Sequence, residues 1–218
     1  LAEIAQPPLV LFCEGNLELL KNPKVAIVGT RHPSTQGIEN AHSFAKELAL
    51  SGLTVVSGLA AGIDRCAHEG ALLATNGAST IAVIGTGMDL VYPASNRELY
   101  RKIREQGLVI SEFPLGTPPT NSNFPRRNRI VVGLSRACLV IESAIDGGSM
   151  ISANFALEMG REVMAIPGSI HNPMARGCHK LIKQGAKLCE TTNDILDELK
   201  LSEKRLIDNV IVEENNDP

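Results

Sequence analysis

Six short apolar runs restrict what this chain can fold into. They are VAIVGT (25–30), LTVVSG (53–58), TIAVIGTG (80–87), GLVISE (107–112), ACLVIES (137–143) and EVMAIPG (162–168). Each is continuously apolar instead of alternating, the pattern of a strand covered on both faces within a parallel sheet. Helical patterns separate them: 35–52, 64–77, 96–107 and 149–160, each closing on glycine. Glycine is favoured at helix C-termini because it enters the left-handed region without strain. Strand and helix in this rhythm predict right-handed βαβ units and an α/β fold, a doubly wound, mostly parallel Rossmann-like sheet with helices on both faces. LVLF (9–12) reads as an added edge strand, and 177–199 as a short helix, a brief strand and a helix from near Thr192.

The 218 residues suit one large domain, read as 1–199, followed by an acidic linker or disordered tail at 200–218. The formal net charge of -3 is uneven. Residues 193–218 hold eight acids and three bases, which leaves 18 bases and 16 acids for the remainder, a net of +2. A local basic site is therefore compatible with the acidic average. Five scattered cysteines form no CxxC pair, so neither a disulfide framework nor a zinc site is expected, and a reducing compartment is. The histidines show no metal-ligand spacing and read as surface or packing residues. No run approaches a membrane span, and Leu1 does not open a secretory signal, so a cytoplasmic protein is expected.

In an open α/β sheet, ligands bind outside the carboxyl ends of the strands. Those ends here are small and permissive: Gly29-Thr30, Ser57-Gly58, Gly85-Thr86-Gly87, and Gly147-Gly148-Ser149 at a helix start. Backbone N–H groups at such turns favour phosphate. GTGMDL lacks the third glycine of a dinucleotide fingerprint, and no GxxxxGK[ST], GxSxG or HExxH is present, so no cofactor is expected. Arg31 follows the first of these strand ends. FPRRNR (124–129) follows a loop rich in Pro and Asn (Glu112 to Asn123) and comes just before IVVGLS, which reads as a helix. Arginine at this edge suits bidentate phosphate contact. We read Arg31 and Arg127 as reaching the ligand, and Arg129 as pairing with Glu112, Glu142 or Asp146. Arg97, Arg101, Lys102 and Arg104 read as a solvated face. Phe113, Phe124 and Tyr92 could cover a base but read as core packing.

Taken together, VAIVGTR, VVSGLAAGIDRCAHEGAL, TIAVIGTGMDLVYPASN, VISEFPLGTPP, FPRRNRIVVGLS, GGSMISANFALEMGREVMAIPGS and GCHKLIKQGA resemble the DNA-processing protein A family, also called Smf. The resemblance runs from about Pro7 to Leu199. It implies an extended Rossmann domain that binds single-stranded DNA, protects incoming strands, loads the RecA recombinase in natural transformation and forms a homodimer, with no established catalysis. Carried onto this sequence, the DNA site would comprise Gly29, Thr30, Arg31, Ser57, Gly58, Arg127, Asn128, Arg129, Gly148 and Ser149, with basic support from Lys180 and Lys183. Many relatives carry Arg where Ala61 stands. The family's flanking helical and winged-helix domains are not in this sequence.

Two other readings stay in view. Rossmann-like nucleotide phosphoribohydrolases carry PGGxGTxxE where this chain has DGGSMISAN, so Asn154 replaces the assisting carboxylate. A mononucleotide-binding module would bind mononucleotides but not oligonucleotides.

Overall fold

The structure is a computed structural model and describes residues 1–2, 4–75 and 78–201. Residues 202–218, most of the expected acidic tail, lie outside the described residues, as does Gly77, the expected glycine stop of the second helix.

The elements in chain order are β1 (Phe12–Gly15), β2 (Lys24–Val28), α1 (Thr35–Leu50), β3 (Thr54–Ser57), α2 (Ile63–Leu72), β4 (Thr80–Ile84), α3 (Arg97–Gln106), β5 (Leu108–Ser111), α4 (Asn123–Gly133), β6 (Ala137–Val140), α5 (Gly148–Glu158), β7 (Glu162–Ala165), α6 (Arg176–Lys183), β8 (Lys187–Leu188) and α7 (Thr192–Glu198). All six apolar runs form strands. They join one eight-stranded sheet in the order β1-β5-β4-β3-β2-β6-β7-β8. Every pairing is parallel except that of β1 with β5, where Phe12 faces Ser111 and Gly15 faces Leu108. The edge strand thus starts later than LVLF suggests: Leu9 is 98% exposed and the ladder begins at Phe12.

The sheet is buried on both sides because successive residues serve opposite cores. Val25 and Ile27 of β2 pack with Phe44 and Leu48 of α1 and Ile63 of α2. Ala26 and Val28 pack on the other face with Ile130 and Val131 of α4 and Ala153 of α5. Each fully buried Ile or Leu, such as Ile27, Ile81 and Leu139, contributes about 1.5–3 kcal/mol. Gly52 and Gly160 end α1 and α5 with φ of +86° and +61°, as expected. Gly107 after α3 differs: its φ is -133°, and its lack of a side chain serves close approach to the Thr80 carbonyl.

α4 begins at Asn123, earlier than the helix at IVVGLS that the sequence suggests, so FPRRNR lies within it. Among the described residues no helix is long and apolar enough to cross a membrane.

Candidate functional site

Strand order reverses at β2: β3, β4 and β5 extend one way, β6 and β7 the other. A crevice is expected outside the carboxyl ends of β2 and β6. A cleft of about 410 Å³ lies there. Its walls are Gly29-Thr30-Arg31 after β2, Gly58 and Ala60 after β3, Ser143-Ala144 after β6, the start of α5, and Phe124, Arg127 and Asn128 of α4.

Much of the donor capacity at this edge is already used by the chain. The Thr30 amide donates to the Glu142 carbonyl at 2.7 Å. The amides of Gly58 and Ala60 donate to the Asp64 carboxylate at 3.1 and 3.3 Å. The Glu142 carboxylate sits at the start of α1, where it accepts from the amide and hydroxyl of Ser34 at 2.8 and 2.5 Å and from Asn172 at 3.0 Å. The start of α5 is different. Its N-cap is Gly147, no side chain caps it, and a Cβ on Gly148 would meet nothing within 4 Å. Ser149 turns its hydroxyl onto Ser143 at 2.7 Å, leaving the turn facing the cleft. Uncapped helix N–H groups carry partial positive charge and suit an anion.

The arginines divide in a way the sequence did not foresee. Because α4 starts at Asn123, Arg127 shares the sheet-facing side with Ile130 and Val131, at helical spacing. It is 4% exposed and donates to the carbonyls of Gly58 and Val83, at the ends of β3 and β4. Its Nε donates to Asn128 Oδ1 at 3.1 Å. Gly58 is glycine for this reason: a Cβ there would lie 2.6 Å from the guanidinium carbon. Burial pushes Arg127 down to about 10, with Asp64 opposing, so it stays charged at neutral pH. Burial raises the Asp64 carboxyl, with Arg127 opposing. Arg127 is therefore an internal clamp and not an outward arm. Arg129 points inward, as expected, onto Glu112, which also takes the exposed Arg126 at 3.1 Å. Arg31 is exposed, makes no ion pair among the described residues, and lies over the Phe124 ring.

Phe124 stacks on Tyr92, with centroids 5.4 Å apart and planes at 26°. Both rings line a second cavity of about 180 Å³, between the turns after β2 and β3. Tyr92 is 47% exposed, so core packing is the wrong reading for it, though right for the buried Phe113. His68 is a core residue. The Leu59 amide donates to its Nε2, while the Thr80 hydroxyl is spent on the Val55 carbonyl. The proton therefore sits on Nδ1, which donates to Thr80 at 2.7 Å. Burial and Arg127 push the ring down to about 3.

Of the sequence-derived residues, the fold brings Gly29, Thr30, Arg31, Gly58, Arg127, Asn128, Gly148 and Ser149 to the cleft. Ser57 is fully buried and donates to the Ile27 carbonyl at 2.6 Å, a strand-to-strand tie. Arg129 lies outside the cleft lining, and so do Lys180 and Lys183, which are exposed on α6. Tyr92 and Phe124, read from the sequence as core packing although able to cover a base, instead line the second cavity.

A family model described as DNA recombination-mediator protein A matches residues 1–200. The chain belongs to this family. The DNA processing protein DprA of Streptococcus pneumoniae is 48% identical over 200 residues, 92% of this chain and 70% of that protein. Protein Smf of Escherichia coli is 47% identical over 194 residues, 88% of this chain and 51% of that protein. The chain thus spans about half the length of some relatives. The solved DprA structure from S. pneumoniae superposes with a TM-score of 0.86 at 46% identity, covering 90% of this chain and 69% of that one. DprA from Helicobacter pylori, described for its single-stranded DNA binding mode, gives 0.82 at 31% identity, covering 90% and 89%. A molybdenum cofactor binding protein from Rippkaea orientalis shares the fold alone, at 0.56 and 16% identity over 82% of this chain and 95% of that one. The chain therefore shares the extended Rossmann architecture of the solved DprA structures.

Proposed function

We propose that this protein binds single-stranded DNA along the carboxyl edge of its sheet. The observation that carries the reading is the side-by-side placement of an uncapped helix start at Gly148 and a cavity walled by stacked Tyr92 and Phe124, with Arg31, free of ion pairs among the described residues, between them. A phosphate sits at the start of α5, and one unstacked base enters the aromatic cavity. Arg31 neutralises the adjoining phosphate. A base held by its face against an aromatic ring is available only in a single strand. Arg127 contributes charge from within and holds the walls, without direct grip on the strand.

The protein acts as a binder and not as a glycosidase. Among the described residues Asp64 is the one carboxylate lining the cleft, and it is 8% exposed and committed to two amides. Nucleoside monophosphates incubated with it therefore release no base. In the cell, the same grip would protect incoming strands in the cytoplasm and, in a homodimer, present them to RecA. Photocrosslinking with a bromouracil-substituted single strand tests the site. The account expects adducts on peptides carrying Tyr92 or Phe124, and adducts confined to other surfaces would contradict it.

A further inference from the structure

We propose that His42 Nε2, Cys66 Sγ and a carboxylate oxygen of Glu69 form a site for a borderline-soft divalent cation, with Zn2+ the ion their chemistry selects. The site lies between α1 and α2 and is built from none of the residues that line the cleft.

Cys66 and Glu69 are three apart on α2 and so share one face of it. His42 meets them from α1. The two helices approach closely because Gly70 has no side chain: a Cβ there would lie 2.4 Å from the His42 carbonyl oxygen. As a result the three ligand atoms all lie within 4.8 Å of one another. His42 Nε2 and Glu69 Oε2 are 3.5 Å apart. Ligand atoms held at zinc's usual bond lengths in a tetrahedron are about 3.3–3.6 Å apart, so small side-chain rotations complete the geometry.

The surroundings suit an ion. Glu69 Oε1 accepts from Arg65 Nε at 2.8 Å, which orients the carboxylate and leaves Oε2 facing His42. Outer contacts of this kind position metal ligands. Cys66 forms the floor at 7% exposure, while the His42 and Glu69 side chains, 33% and 31% exposed, leave an entry path and a fourth position for water. Imidazole, thiolate and carboxylate together suit zinc, whereas magnesium and calcium take oxygen ligands. On binding, the Cys66 thiol gives its proton to solvent and the Zn–S bond forms. Thiolate and carboxylate then balance the dication. The ion pins α1 to α2 one turn beyond Asp64, so its effect is on stability.

Cobalt(II) titration of the full chain tests this, because a thiolate ligand gives a sulfur-to-cobalt charge-transfer band. The band is expected in the natural chain and in Cys13→Ser, which removes the exposed thiol. It is expected to vanish in Cys66→Ser, and in His42→Asn, which keeps the thiolate but loses a ligand, to need at least about 10-fold more cobalt, no less than the cost of an outer-shell change. Should Cys66→Ser not fold, His42→Asn decides, since that side chain is partly exposed. No band in the natural chain, or a band that forms in His42→Asn at the cobalt concentrations that suffice for the natural chain, overturns the proposal.

Discussion

The guanidinium of Arg31 lies 5.6 Å from the centre of the Phe124 ring. Arg31 comes from the turn after β2 and Phe124 from the first turn of α4, so the contact joins two walls of one site. It holds a cation beside an aromatic face, where a phosphate and its base would need them. Arg31→Ala should weaken single-strand binding and reduce the salt dependence by one phosphate, a slope change of about 0.7 in log K against log[salt]. Fluorescence anisotropy across a salt series measures both. Phe124→Leu should weaken binding by about 1–3 kcal/mol while leaving the slope unchanged.

Arg127 should behave in the opposite way. Its removal leaves the Gly58 and Val83 carbonyls without their donor and opens a hole under the β3 turn. Arg127→Ala should lose about 3–5 kcal/mol of stability, read as a lower urea midpoint. A variant of full stability that had lost only DNA binding would show that the side chain reaches the strand after all.

Gly148 offers a test in which stability and binding move in opposite directions. There is open space at its Cα, and α5 has no cap. Gly148→Asp should raise stability by about 0.3–1 kcal/mol by placing a carboxylate at the helix start. The same carboxylate should repel phosphate and cut single-strand affinity. A stabilised variant with intact binding would remove α5 from the site.

His68 sets a pH dependence. The unfolded chain takes up a proton near 6.5, while the folded chain resists until about 3. Its contribution is therefore fully present above pH 6.5 and is lost as pH falls towards 3, by about 1.4 kcal/mol per pH unit. Urea unfolding of the natural chain should lose stability faster between pH 6.5 and 5 than His68→Gln. Parallel profiles would rule out a buried neutral ring.

The sheet was legible because its strands are buried on both faces, and such strands leave uninterrupted apolar runs like VAIVGT. The carboxyl edge was legible too, since Gly29, Gly58 and Gly148 mark turns at strand ends. Arg127 was misread because the helix was placed at IVVGLS, after FPRRNR, whereas Pro125 falls inside its first turn. Proline in the first turn of a helix removes no intrahelical hydrogen bond, so α4 starts before it. The helical spacing that follows turns Arg127 towards the sheet. Other features depend on contacts between distant segments: Glu142 on Ser34, and Phe124 on Tyr92. Nothing local in the sequence announces these, and together they decide which amides stay open and which rings line the second cavity.

Affinity for single-stranded and double-stranded oligonucleotides, measured over a salt series, tests the central claim most directly. The account predicts tighter binding of the single strand, a negative salt slope, and a shallower slope in Arg31→Ala. Equal affinity for both forms, or binding indifferent to salt and to Arg31→Ala, would contradict it.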